Sequence, residues 1–125
     1  MRILVVDDSK IMRMKLKSVI SGAGIPVTAL LEAEHGREAL SIMDRQPVDL
    51  VFTDINMPEM DGREFLRELS SRTFAHPVYR VVCTTETPQA LRDELNGYGV
   101  DLYVEKPFSP EAVRSALAAA HANRT

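Results

Sequence analysis

Apolar residues recur along the chain in two alternating rhythms. Five short runs, Ile3–Val6, Val27–Leu31, Leu50–Thr53, Val78–Thr84 and Leu102–Val104, are rich in Val, Ile and Leu and mostly lack polar alternation. Such runs predict strands buried on both faces, as in a parallel sheet. Between them the spacing turns helical. The first helical segment covers about Ser9–Ala23, with Ile11, Met14, Leu16, Val19 and Ile20 apolar, and stops at Gly-Ala-Gly-Ile-Pro. Others follow at about Gly36–Arg45 (Ala39, Leu40, Met43), Gly62–Ser71 (Phe65, Leu66, Leu69) and Pro88–Gly97 (Ala90, Leu91, Leu95). The last opens at Ser109, an N-cap residue, with Pro110 in the first helical position and Glu111 near the positive helix end, and runs to about Ala122. Strand and helix thus alternate five times. Right-handed crossovers then place helices on both faces of one parallel sheet, in a single α/β domain over residues 1–125. No linker or repeat interrupts the pattern, and with few residues after the fifth helix no output domain is expected.

Composition narrows the classes. A length of 125 residues suffices for one buried core. The net charge of −3 provides no basic field for nucleic acid. With one cysteine, Cys83, neither an internal disulfide nor a cysteine-rich zinc site can form. The opening Met-Arg-Ile-Leu-Val-Val-Asp-Asp has an apolar run too short for a signal peptide or a membrane span, so a reducing, cytoplasmic setting is expected.

In open α/β sheets ligands bind outside the carboxyl ends of the strands. The first strand ends in Asp7-Asp8, the third in Asp54, the fourth in Thr84-Thr85, and the fifth is followed by Glu105-Lys106-Pro107. The second ends near Glu32 and brings no comparable cluster. Three carboxylates, one or two hydroxyls and one ammonium are therefore expected to converge. Packed carboxylates repel, and a divalent cation relieves the repulsion. An all-oxygen donor set without nearby His or Cys suits a hard ion, Mg²⁺ most naturally. Such a site suits phosphoryl chemistry. An Asp can itself be the nucleophile, while Lys106 and Thr84 can hold phosphoryl oxygens.

Four stretches, Val-Val-Asp-Asp-Ser (5–9), Asp-Ile-Asn-Met-Pro-Glu-Met-Asp-Gly (54–62), Val-Cys-Thr-Thr-Glu (82–86) and Tyr-Val-Glu-Lys-Pro-Phe (103–108), occur in this order at suitable separations. In them the chain resembles the receiver domain of two-component response regulators, most closely the stand-alone chemotaxis type. The resemblance covers nearly the whole chain. It implies a flavodoxin-like strand order 2-1-3-4-5, a Mg²⁺-dependent switch, and phosphorylation of Asp54 by a histidine kinase or histidine phosphotransfer protein. Asp8, Asp54 and the main-chain carbonyl of Asn56 would ligate Mg²⁺, with Asp7 acting through an outer-shell water. The family pattern implies a cis peptide at Lys106–Pro107. It also implies a switch in which Thr84 moves toward the phosphoryl group, Tyr103 turns, and the helix-four, strand-five, helix-five face changes for a downstream protein. The product is a signal, so the chain is not expected to be an enzyme beyond its own phosphorylation and dephosphorylation. Monomer and phosphorylation-dependent dimer both remain open.

Blander roles stand beside these. Asp7-Asp8 could cap the first helix, Asp54 could be a turn residue, and Lys106 a solvated lysine. Thr84 could be a strand hydroxyl bonded to backbone, and Tyr103 an ordinary half-buried edge-strand residue. Cys83 reads as core, and His35, His76 and His121 receive no role. Several positions depart from the family pattern. Tyr79 and Arg80 are odd company in a buried strand, and Pro77 lies far from Thr84. Thr85 stands where a small residue is usual, and Asn56 and Glu86 stand where the phosphate's lifetime is tuned. A phosphatase with an aspartyl-phosphate intermediate needs an acid two positions after its nucleophile, where this chain has Asn56. A degenerate, binding-only receiver would have lost key polar residues, and all are present.

Overall fold

The computed structural model describes residues 1–85 and 87–123. Its elements, in chain order, are β1 (Arg2–Val6), α1 (Lys10–Ser21), β2 (Ala29–Ala33), α2 (Gly36–Arg45), β3 (Leu50–Thr53), α3 (Gly62–Ser70), β4 (Tyr79–Thr84), α4 (Gln89–Gly97), β5 (Leu102–Glu105) and α5 (Pro110–Asn123). All strand pairs are parallel, and the order across the sheet is β2-β1-β3-β4-β5.

Alternation along the inner strands divides the core into two layers. Ile3 and Val5 of β1, Leu50 and Phe52 of β3, and Val81 and Cys83 of β4 pack with Leu16 and Ile20 of α1 and Val113, Ala116, Leu117 and Ala120 of α5. Leu4, Val6, Val51 and Val82 point to the other layer. There they meet Ala39, Leu40 and Met43 of α2, Phe65, Leu66 and Leu69 of α3, and Leu95 of α4. Burial on both faces explains the uninterrupted apolar runs of β1 and β3.

Helix starts follow side-chain chemistry. Ser9, Asp61 and Ser109 accept the amide N–H of Met12, Glu64 and Ala112 respectively. His35 does the same for Glu38 through Nδ1. In α4, by contrast, Pro88 supplies no capping side chain, and Leu95 is the one buried residue. Ala90, expected on its apolar face, is exposed.

Three sequence expectations shift. β2 lies two residues later than Val27–Leu31, because Arg2 pairs with Ala29 and Val6 with Ala33. The polar Glu32 thereby enters an edge strand, where it faces Arg13 and Lys17 of α1. In α1, Ile11 and Met14 are 65% and 59% exposed, while Arg13 takes a place on the buried stripe. The doubtful segment around Tyr79 and Arg80 is regular strand, paired with Leu50 and Val51. Arg80 is accommodated there because its guanidinium donates to the carbonyl of Tyr98 at the end of α4, 2.8 Å away.

Candidate functional site

Asp7 and Asp54 leave the ends of two neighbouring strands, β1 and β3, held in step by the pairing of Val6 with Thr53. Lys106 follows the end of β5, and its amide N–H donates to the carbonyl of Thr84 at the end of β4. The Lys106–Pro107 peptide is cis. From there the ammonium reaches both acids, with Nζ 2.7 Å from Asp7 Oδ2 and 2.9 Å from Asp54 Oδ2. Asp7 and Lys106 are 99 positions apart in the chain.

The other carboxylate oxygens are placed by the main chain. Asp7 Oδ1 accepts the Ser9 N–H at 2.9 Å, and Asp54 Oδ1 accepts the Ile55 N–H at 2.6 Å. Asp7 thus does not cap α1, a role that falls to Ser9. Asp8 is exposed beside them, and Asp7, Asp8 and Asp54 each present an oxygen within 4.8 Å of the others. All donors are carboxylate oxygens on a cluster with one compensating ammonium, so the residues fit a hard divalent ion such as Mg²⁺.

Burial by itself would lower the Lys106 ammonium. The hydrogen bonds to Asp7 and Asp54, and their charges, outweigh it, so Lys106 titrates above its ordinary value. A small cleft beside the ion pair is walled by Met12, Phe52, Cys83 and Phe108, which keep bulk water from screening it. Cys83 is a core residue, its thiol pushed up to about 12 by burial, with Lys106 opposing the shift. It is therefore a thiol and no nucleophile at neutral pH.

Gly62 shapes this corner by what it lacks. A Cβ there would stand 2.1 Å from the Asp54 carbonyl oxygen and 2.8 Å from Ile55 Cα. Its N–H meanwhile donates to Ile55 at 2.8 Å. Between them runs the loop carrying Asn56, which is exposed, with Glu59 in the left-handed region at φ 63°. The loop is anchored to the next layer by the Gly36 N–H, which donates to the Met60 carbonyl.

Thr84 is buried at the end of β4, and Thr85 beside it is exposed. Tyr103, in register with Val82, donates its hydroxyl to Asn96 Oδ1 of α4 at 2.7 Å, and the Arg92 guanidinium lies 4.5 Å above its ring. Glu86 falls outside the described residues. Sequence reasoning missed Arg13, which donates to the Asp7 carbonyl at 2.6 Å and to Glu32 Oε1 at 3.0 Å. Its signal was a cation three and seven residues before Leu16 and Ile20, on the apolar stripe of α1. A roomier cleft of about 470 Å³ lies at the opposite end of the sheet, against Asp49, His76 and Tyr79. It gathers no comparable set of acids and cation. No described helix is long and apolar enough to cross a membrane.

Comparison with known proteins points the same way. Residues 3–118 match the model of the response regulator receiver domain. The chain is 37% identical over 116 residues to the chemotaxis protein CheY of Thermotoga maritima, covering 93% of each chain. It is 36% identical over 118 residues to CheY1 of Helicobacter pylori, covering 94% of each. Among solved structures, the chemotaxis response regulator CheY4 of Vibrio cholerae superposes with a TM-score of 0.81 at 30% identity, over 95% of this chain and 97% of that one.

Proposed function

Since this chain belongs to the response regulator receiver family and is thereby a phosphoacceptor signalling switch of the two-component type, we propose that Asp54 takes the phosphoryl group, in the presence of Mg²⁺, from a phosphohistidine on a partner kinase or phosphotransfer protein. The observation that carries the reading is the Lys106 ammonium held jointly by Asp7 and Asp54, with Asp8 alongside. Asp8, Asp54 and the Asn56 carbonyl would hold the ion, with Asp7 acting through water. When bound, Mg²⁺ supplies neutralisation of the charge on the transferred group.

The chain's own residues do the rest. A carboxylate oxygen of Asp54 attacks phosphorus, the P–O bond forms as the P–N bond breaks, and the imidazole nitrogen keeps the electron pair. The Ile55 N–H restrains rotation of the Asp54 carboxylate, so its attack is oriented in advance. Lys106 exchanges Asp54 Oδ2 for a phosphoryl oxygen and so remains paired throughout, and Thr84 donates its hydroxyl to another. Movement of Thr84 gives Tyr103 room to turn, which costs it the bond to Asn96. The consequence falls on α4, an element with one buried side chain and no capping side chain, suited to moving at low cost. A downstream protein reads the face formed by α4, β5 and α5.

The test is incubation with a small phosphodonor followed by intact-mass measurement. One phosphoryl group should be gained with Mg²⁺, none with a chelator and none in Asp54→Ala, and hydroxylamine should remove it. Equal incorporation in Asp54→Ala would overturn the assignment.

A further inference from the structure

Arg13 is 7% exposed and sits on the face of α1 that Leu16 and Ile20 bury. A guanidinium is stable in such a place only if its donors are used. They go in two directions. Nε pairs with Glu32 Oε1 of β2 at 3.0 Å, and Nη2 lies 3.9 Å from Glu34 Oε1. Nη1 donates to the main-chain carbonyl of Asp7 at 2.6 Å. Glu32 is itself steadied by Lys17 at 2.8 Å, whose hydrogen bond holds its carboxyl below the ordinary range against burial.

The contact to Asp7 matters because of what comes next in the chain. Asp8 has no side-chain hydrogen bond or ion pair recorded among the described residues, so its carboxylate is placed by its backbone. The peptide joining Asp7 to Asp8 is planar, and fixing the Asp7 carbonyl fixes the direction of the Asp8 N–H and Cα with it. The opposite side of that turn is already tied. The Asp7 N–H donates to the Ala33 carbonyl, and its carboxylate is held by Ser9 and Lys106. Arg13 is the side chain that restrains the carbonyl.

We propose that Arg13 is a positioning residue of the acidic site: its grip on the Asp7 carbonyl sets where the Asp8 carboxylate emerges, and so tunes the affinity for Mg²⁺. The proposal rests on the reading of Asp8 as a metal ligand. Glu32 and Glu34 balance the charge of Arg13, so the cation can serve geometry without driving off a divalent ion. A planar fork is required, because one donor set must reach β2 while another reaches the β1–α1 turn. Groups that orient metal ligands from behind matter nearly as much to affinity as the ligands themselves.

The experiment is titration with MgCl₂ alone, followed through backbone amide NMR shifts, at a temperature where every variant is folded. Wild type, Arg13→Met, Arg13→Lys and Ile20→Ala are compared. Ile20→Ala damages the same stripe of α1 one turn beyond the cleft that Asp7, Asp54 and Lys106 line. Arg13→Met is expected to weaken Mg²⁺ binding about tenfold, with Arg13→Lys recovering part of the loss and Ile20→Ala unchanged. In the metal-free protein, the heteronuclear NOE of the Asp8 amide should fall in Arg13→Met and hold in Ile20→Ala. Wild-type affinity and NOE in Arg13→Met, or an equal loss in Ile20→Ala, overturn the role. Should Arg13→Met not fold, Arg13→Lys decides, because wild-type affinity there also overturns it. Wild-type protein that binds no Mg²⁺ overturns the metal reading and this role together. Wild-type protein that binds Mg²⁺ and accepts phosphate, beside an unaffected Arg13→Met, overturns this role alone.

Discussion

Replacing Asp8 by Asn separates a carboxylate kept for a cation from one kept for the fold. In the metal-free protein Asp8 presents an oxygen within 4.8 Å of Asp7 and Asp54. The ammonium of Lys106 is bonded to those two acids and not to Asp8. Counting two acids and one ammonium, Asp8 faces roughly one uncompensated negative charge. Like charges separated by 4.8 Å repel by about 0.9 kcal/mol in water-like surroundings, and by about 1.7 kcal/mol at an effective dielectric constant near 40. Against this, a carboxylate just ahead of a helix N-terminus is favoured by about 0.3–1 kcal/mol. At mid-range values repulsion exceeds the helix-end term, so Asp8→Asn should be more stable than wild type by about 0.6 kcal/mol. For a domain of this size that is about 2–5 °C in Tm. The gain should shrink at high salt, because Asp8 is exposed. Adding Mg²⁺ should reverse the order. At a hundredfold excess over Kd the wild type gains about 2.7 kcal/mol, and the variant, lacking the ligand, gains little. Calorimetric melts in chelator and in MgCl₂ provide the measurement. A metal-free variant less stable than wild type by more than 1 kcal/mol, roughly the upper value of the helix-end term, would refute the reasoning. So would equal stabilisation of both proteins by Mg²⁺.

Gly62→Ala should cost at least about 2 kcal/mol, since its Cβ meets backbone atoms of Asp54 and Ile55 that no rotamer change can clear. Urea denaturation measures this, and an unchanged midpoint would show that the loop yields. Lys106 titrates above its ordinary value, so its contribution is fully present below about pH 10.4 and is lost as pH rises through the higher folded-state value. The stability difference between wild type and Lys106→Met, followed by urea midpoints across the alkaline range, should therefore be constant at neutral pH and fall above that point. A difference that grows there would show the sign to be wrong.

Several elements were legible because neighbours in the chain decide them. The buried runs of β1 and β3, and the apolar stripes of α2 and α3, appear where the spacing puts them. Ser109 caps α5 as its residue type suggests. Edge elements were less legible. β2 slid by two residues because its bounds are set by pairing with β1, and an edge strand tolerates Glu32 in place of an apolar residue. Arg80 looked foreign to a strand, since the acceptor that admits it, the Tyr98 carbonyl, belongs to the end of α4. The spacing put Gly62 at the start of the third helix but did not show why a glycine stands there: its φ lies outside the left-handed region, and its need is space beside Asp54.

The sequence alone determined the alternation of strand and helix and the residue types at the strand ends, since periodicity and capping act within a few positions. It also named the acids, the lysine and the phosphoryl chemistry they suit. Only the tertiary structure decided that Lys106 binds Asp7 and Asp54 at once, that Asp8 stands beside them with no side-chain partner among the described residues, and that a buried arginine holds the turn between the two aspartates. Those contacts depend on strand register and crossover geometry, which join residues up to 99 positions apart and leave no mark in any local window of the chain.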